Sequence, residues 1–140
     1  SVVDGDRVNN LAKARNECFN QVRDLSFYDY AMSVEVDCQL SVESLKLLFH
    51  NIHEWDILSA TSYAPPTDYM IEIARMKAII EGCRFSGYSD YLQSFDCDTT
   101  VICEQFHQAG YNRIGLIPHL KVFNDPYLQI TSSAVNHKYN

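Results

Sequence analysis

The chain has 140 residues, of which 46% are apolar and 21% charged. That length and balance fit one globular domain and exclude a disordered, collagen-like or simple coiled-coil chain. The net charge of −7, from 18 acidic against 11 basic residues with no basic cluster, argues against sequence-independent nucleic-acid binding.

No stretch approaches the roughly 20 apolar residues of a membrane helix. The start, Ser1-Val2-Val3-Asp4-Gly5-Asp6, lacks an initiator Met and the pattern of a signal peptide, so we expect the chain to be part of a longer one. The five cysteines, Cys18, Cys38, Cys83, Cys97 and Cys103, are odd in number and form no Cys-x-x-Cys pair. Free thiols in a reducing compartment are the expectation, in the cytoplasm or in a viral or membrane-peripheral setting.

In chain order, Asp6 is positioned to cap a helix running to about Asp24. Val8, Leu11, Ala12, Cys18, Phe19, Val22 and Leu25 recur on one stripe of it, together with Arg15. Ala31–Asp37 reads as a strand. Ser41 caps a helix whose apolar face is Val42, Leu45, Leu48, Phe49 and Ile52. Trp55–Ala60 is a second strand, Ala64–Thr67 a proline loop, and Tyr69, Ile71 and Ile73 mark a third strand. Met76–Glu81 fits helix or strand. Residues 82–97 read as a surface loop. Asp98 or Thr99 starts a helix closed by Gly110, and Ile114–Ile117 is a short strand ended by Pro118. The alternation predicts an α/β domain over 1–123, a mixed and mostly parallel sheet flanked by helices, with 124–140 as a tail.

Three groups of residues can carry chemistry. Strand alternation puts Glu35 and Asp37 on one face at a strand end, where ligands of α/β sheets bind and a divalent cation offsets paired carboxylates. The other reading is two solvated acids. Asp96 and Asp98 precede a helix, either as cap or as a carboxylate aimed into a cleft. Arg15, followed by Asn16, lies on an apolar stripe and needs a partner, either a carboxylate of the sheet or a ligand phosphate. His50 and His53 lie at helical spacing but lack further zinc ligands, His107 reads as surface, and His119 follows a strand end near Asp37.

As an ordered set, these pieces resemble a family. Arg7–Asn16, then Tyr28–Asp37 ending in Glu35-Val36-Asp37, then Glu54-Trp55-Asp56-Ile57, then Asp96-Cys97-Asp98 through Ala109-Gly110-Tyr111, are similar to GT-A-type nucleotide-sugar glycosyltransferases. The fungal capsule-type mannosyltransferases and their giant-virus relatives are the nearest in pattern, over roughly residues 6–122. The resemblance implies a partial GT-A-like three-layer domain whose nucleotide-binding part lies outside this chain. It implies a nucleotide-sugar donor, a glycan or other hydroxyl acceptor, and a manganese or magnesium ion. Asp37 would then be the main metal contact, with Glu35 and His119 as further ligands. Arg15, Asn16 and Glu35 would hold the donor, and Asp98 and Asp96 would be the catalytic residues on the acceptor side, contacting the acceptor or acting as base. A non-catalytic α/β interaction module is the alternative, favoured by the aromatic surface of Tyr88, Tyr91, Phe95, Tyr111 and Tyr127.

Overall fold

The computed structural model describes residues 3–35, 38–61, 69–117 and 122–124. Helix α1 (Gly5–Asn20) is capped by Asp4, whose carboxylate accepts the N–H groups of Asp6 and Arg7 at 3.1 and 3.2 Å. Asp6 therefore falls inside the first turn, where the helix dipole favours it, rather than at the cap. The helix also stops earlier than its apolar spacing predicts. Asp24 takes the Ser26 N–H at 3.0 Å and caps a separate single turn, Leu25–Phe27.

Strand β1 (Tyr30–Val34) follows, then β2 (Cys38–Leu40) and α2 (Val42–Phe49). Ser41 caps α2 as its sequence requires, accepting the Ser44 N–H at 3.1 Å. Only part of the expected face of α2 is covered. Leu48 and the following Ile52 are buried, whereas Val42 and Phe49 face solvent. Next come β3 (Ile57–Thr61), β4 (Tyr69–Arg75) and α3 (Met76–Ile80), which settles the ambiguous segment as one helical turn. A small hairpin, β5 (Tyr88–Ser89) and β6 (Ser94–Phe95), leads into α4 (Asp98–Gln108), β7 (Ile114–Ile117) and β8 (Val122–Asn124). Gly110 closes α4 with φ +93°, a conformation L side chains resist. The proline loop 64–67 and the tail from 125 lie outside the described residues.

The main sheet runs β1-β4-β3-β7. It is mixed, as expected. Its β1–β4 and β4–β3 pairings are antiparallel and only β3–β7 is parallel, which corrects the expectation of a mostly parallel sheet. The reason is topological. The connection from β3 to β4 leads back to a neighbouring antiparallel position, so β4 sits between β1 and β3, which run the same way. β2 and β8 form a separate antiparallel pair.

The two inner strands, β3 and β4, are buried on both faces. Ile71 and Ile73 of β4, with Leu58 and Ala60 of β3, pack against Leu48 and Ile52. On the opposite face Ile57 and Ala74 pack with Ala12 of α1 and with Ile102 and Phe106 of α4. Cys83 and Phe85 join that second cluster, so the segment expected to cross the surface instead starts in the core. Its docking is close. A Cβ on Gly87 would stand 2.5 Å from Asn9 Oδ1 and 2.8 Å from the Asn9 backbone nitrogen. Gly87→Ala is accordingly expected to cost about 1–3 kcal/mol, the usual penalty of overpacking. A urea unfolding midpoint unchanged from wild type would refute that tight approach.

Candidate functional site

Arg15 is the hub of the site. Its place on the buried stripe of α1, one turn after Ala12, carries the guanidinium towards the sheet rather than into water. There Nη2 donates to Glu35 Oε1 at 2.7 Å, Nη1 donates to Ser33 Oγ, and Nε lies 2.8 Å from Asp98 Oδ2. The guanidinium also lies over the Phe85 ring, 5.5 Å from its centroid. Burial alone would lower the Arg15 pKa, but Asp98 and Glu35 more than offset it, so Arg15 stays charged.

The three partners come from different elements. Ser33 is on β1 and Glu35 just beyond its end, where the side chain is 37% exposed. Asp98 is the first residue of α4 and only 2% exposed. It is not the cap of that helix. Cys97 occupies the cap position and makes no side-chain capping bond, while the Asp98 carboxylate turns to Arg15. Burial raises the Asp98 pKa, and Arg15 only partly counters it.

Behind this ion-pair network lies a carboxyl group that the sequence reading passed over. Glu72, in the middle of β4, is 2% exposed. Its Oε2 accepts from Ser59 Oγ at 2.9 Å and from the Cys103 thiol at 3.5 Å, while Oε1 has no hydrogen-bond partner among the described residues. Burial outweighs these donors and the nearby Arg15, and pushes the Glu72 pKa up to about 8. At neutral pH Glu72 is therefore mostly a neutral acid. The signal was present in the sequence. Met70, Glu72 and Ala74 alternate with Tyr69, Ile71 and Ile73, so a lone Glu interrupts a nearly continuous apolar run. Such runs mark strands covered on both faces. Burial and Glu72 together also raise the Cys103 thiol pKa, so this cysteine is not an activated nucleophile.

The structure thus brings Arg15, Glu35 and Asp98 together and leaves other expected site residues elsewhere. Asn16 spends its amide on the backbone of Phe85, donating to its carbonyl at 2.8 Å and accepting its N–H at 2.9 Å. Asp96 accepts its neighbour Cys97's N–H at 2.8 Å and is half-buried beside the hairpin. Asp37 and His119 lie outside the described residues. Among the described residues Cys18, Cys83, Cys97 and Cys103 form no disulfide. His53 is exposed and within 3.2 Å of the Tyr30 hydroxyl, and His107 is exposed.

Among the described residues no group of three or more His, Cys, Asp and Glu is arranged to hold a metal. Magnesium and manganese take oxygen ligands, and Glu35 is a carboxylate at the end of β1 that solvent reaches, but Arg15 at 2.7 Å is already its cation partner. A second ionic cluster sits at the opposite end of the sheet. Buried Asp56 accepts from Arg75 Nε at 2.9 Å and Arg113 Nη2 at 3.1 Å. Burial opposes ionisation of Asp56, yet the bonds from Arg113 and Arg75 together hold its pKa below the usual carboxylate range. That cluster ties the starts of β3 and β7 to the end of β4 and is structural.

The fold and site define an α/β domain with a mixed four-stranded sheet and a buried arginine–carboxylate network at one end. Comparisons of the chain with protein families, curated proteins and solved structures find no match. Among the described residues no helix is long and apolar enough to cross a membrane.

Proposed function

We propose that this chain is part of a metal-dependent glycosyltransferase that moves a sugar from a nucleotide-sugar donor to a glycan or other hydroxyl acceptor. The observation that carries the reading is the convergence of Arg15, Glu35 and Asp98, three residues up to 83 positions apart that the resemblance assigns to one site. Arg15 supplies a fixed, planar cation suited to a diphosphate, for which the donor competes with Glu35. Glu35 is reachable from solvent and contacts the donor's sugar or ribose. Asp98 faces the acceptor. Burial raises its pKa, which makes the carboxylate a stronger base.

Asp37 and Glu35 would hold the manganese or magnesium ion, which when bound stabilises the charge of a departing diphosphate. The test is calorimetric titration of UDP and GDP, with and without manganese, into wild type and Asp37→Ala. Manganese-dependent binding, weakened at least tenfold in the variant, is expected. Absence of binding, or binding indifferent to Asp37→Ala, overturns the reading.

The alternative is a non-catalytic interaction module. One observation favours it: the β5–β6 hairpin exposes Tyr91 at 84% and Leu92 at 56%, beside Tyr88 and Phe95. A chain that fails the nucleotide titration but self-associates or binds a protein partner through this hairpin would fit that reading.

A further inference from the structure

Between α1 and the face of the sheet formed by β1, β4 and β3 lies a cavity of about 370 Å³. That is within the roughly 300–1,000 Å³ range of small-molecule sites. Its walls are mainly apolar, with Phe19, Ala31, Ile57, Ala74, Phe85 and Ile102 on the face turned to α1. Three polar residues also line it: Arg15, Ser33 and Glu72. We propose that this cavity binds a small, neutral, mainly apolar molecule bearing one oxygen, an alcohol, aldehyde or ketone, with the Glu72 carboxyl as its polar anchor.

The argument begins with an unmade bond. Glu72 is almost fully buried and Oε1 lacks a partner among the described residues, a condition that costs about 1–3 kcal/mol and that folded proteins rarely leave standing. Oε2 already accepts from two donors, the Ser59 hydroxyl and the Cys103 thiol. In the neutral acid the proton therefore belongs on Oε1, which then offers a donor and asks for an acceptor. A carbonyl or hydroxyl oxygen answers it.

The surroundings select against charge. A carboxylate or phosphate inside the cavity would lie against Glu72, with Arg15 already shared between Glu35 and Asp98. A cation would have to ionise Glu72 against its own burial, between walls that hydrate nothing. The remaining volume is apolar and suits a hydrocarbon body. Such binding needs neither nucleotide nor metal, so it stands or falls apart from the transfer reaction.

The experiment is calorimetric and thermal-shift titration of the intact chain with 1-octanol, 2-octanone, n-octane and octanoate at pH 7, without metal or nucleotide. Octanol and octanone are expected to bind at least tenfold more tightly than octanoate and at least fivefold more tightly than octane. Glu72→Leu should abolish the preference for octanol over octane while octane still binds, which shows that the cavity is intact. Glu72→Gln, which keeps a donor in place, should retain most of the preference. Ala31→Leu, which fills the cavity from β1, should weaken all the neutral probes. The proposal is overturned if no probe binds, if octanol binds no better than octane, or if Glu72→Leu leaves their ratio unchanged.

Discussion

Replacing Arg15 with Met is expected to destabilise the fold by about 3–5 kcal/mol, the range for removing one partner from a buried ion pair. Met preserves much of the volume and the apolar stem, so the loss reports the charge. Asp98, 2% exposed, would be left without its counter-charge, and Glu35 would lose its contact with Arg15. The cost should therefore depend on pH. Without Arg15, the folded-state pKa of Asp98 rises further above its unfolded value. Stability in the variant is then present at low pH and lost as pH rises, so the deficit should be smaller at pH 5 than at pH 7. Asp98→Asn alone should cost less, because Arg15 keeps Glu35. The double variant should recover part of the Arg15→Met loss. Urea unfolding at both pH values reads all of this, and a deficit below about 1 kcal/mol at each would show that the network holds little of the fold together.

The second large effect belongs to Glu72. Its pKa is raised from 4.5 to about 8, chiefly by burial, so between these values the folded chain binds a proton that the unfolded chain has released. Stability contributed by this group is fully present below pH 4.5, falls as pH rises, and is exhausted above about 8. Within that window the expected slope is roughly 1 kcal/mol lost per pH unit. Asp98 titrates in the same sense, since its pKa is also raised. Asp56 acts in the opposite sense, and its contribution is lost only as pH falls below its unfolded value of 3.8. Comparison with Glu72→Gln isolates the one group. That variant should show a much flatter stability profile between pH 5 and 8. If wild type and Glu72→Gln have parallel profiles, Glu72 is not the buried acid described above. Arg15, Asp98, Ser59 and Cys103 are the polar and titratable groups facing it, and each is retained in the variant.

Much of the local structure could be read directly. The Ser41 cap, the Gly110 stop and the strands at Tyr69–Arg75 and Ile114–Ile117 follow from single-residue chemistry: a hydroxyl that accepts an N–H, a glycine that accepts positive φ, and β-branched runs between breakers. The need of Arg15 for a partner was equally legible, because a guanidinium on an apolar stripe has to be compensated. Which partners it finds was not. Nothing local distinguishes Asp98 as a helix cap from Asp98 as a buried counter-ion, since both place an acid at a helix start. The choice follows from α4 packing against α1, which brings the carboxylate within 2.8 Å of Arg15 Nε.

Glu72 marks the other limit. Period-two alternation places it opposite Ile71 and Ile73, and in a sheet with one wet face that position is solvated. The order β1-β4-β3-β7 makes β4 an interior strand with helices over both faces, so the same residue becomes a neutral acid beside an apolar cavity. Strand order depends on long-range pairing that no window of residues encodes. By itself, then, the sequence determined an acidic α/β domain with its caps, its stops and an arginine in want of a carboxylate. Only the tertiary structure decided that the sheet is mainly antiparallel, that Glu35 and Asp98 share that arginine, and that Glu72 is shut away from water. Those outcomes depend on which surfaces are buried against one another, and burial sets the charge state of every acid in the site.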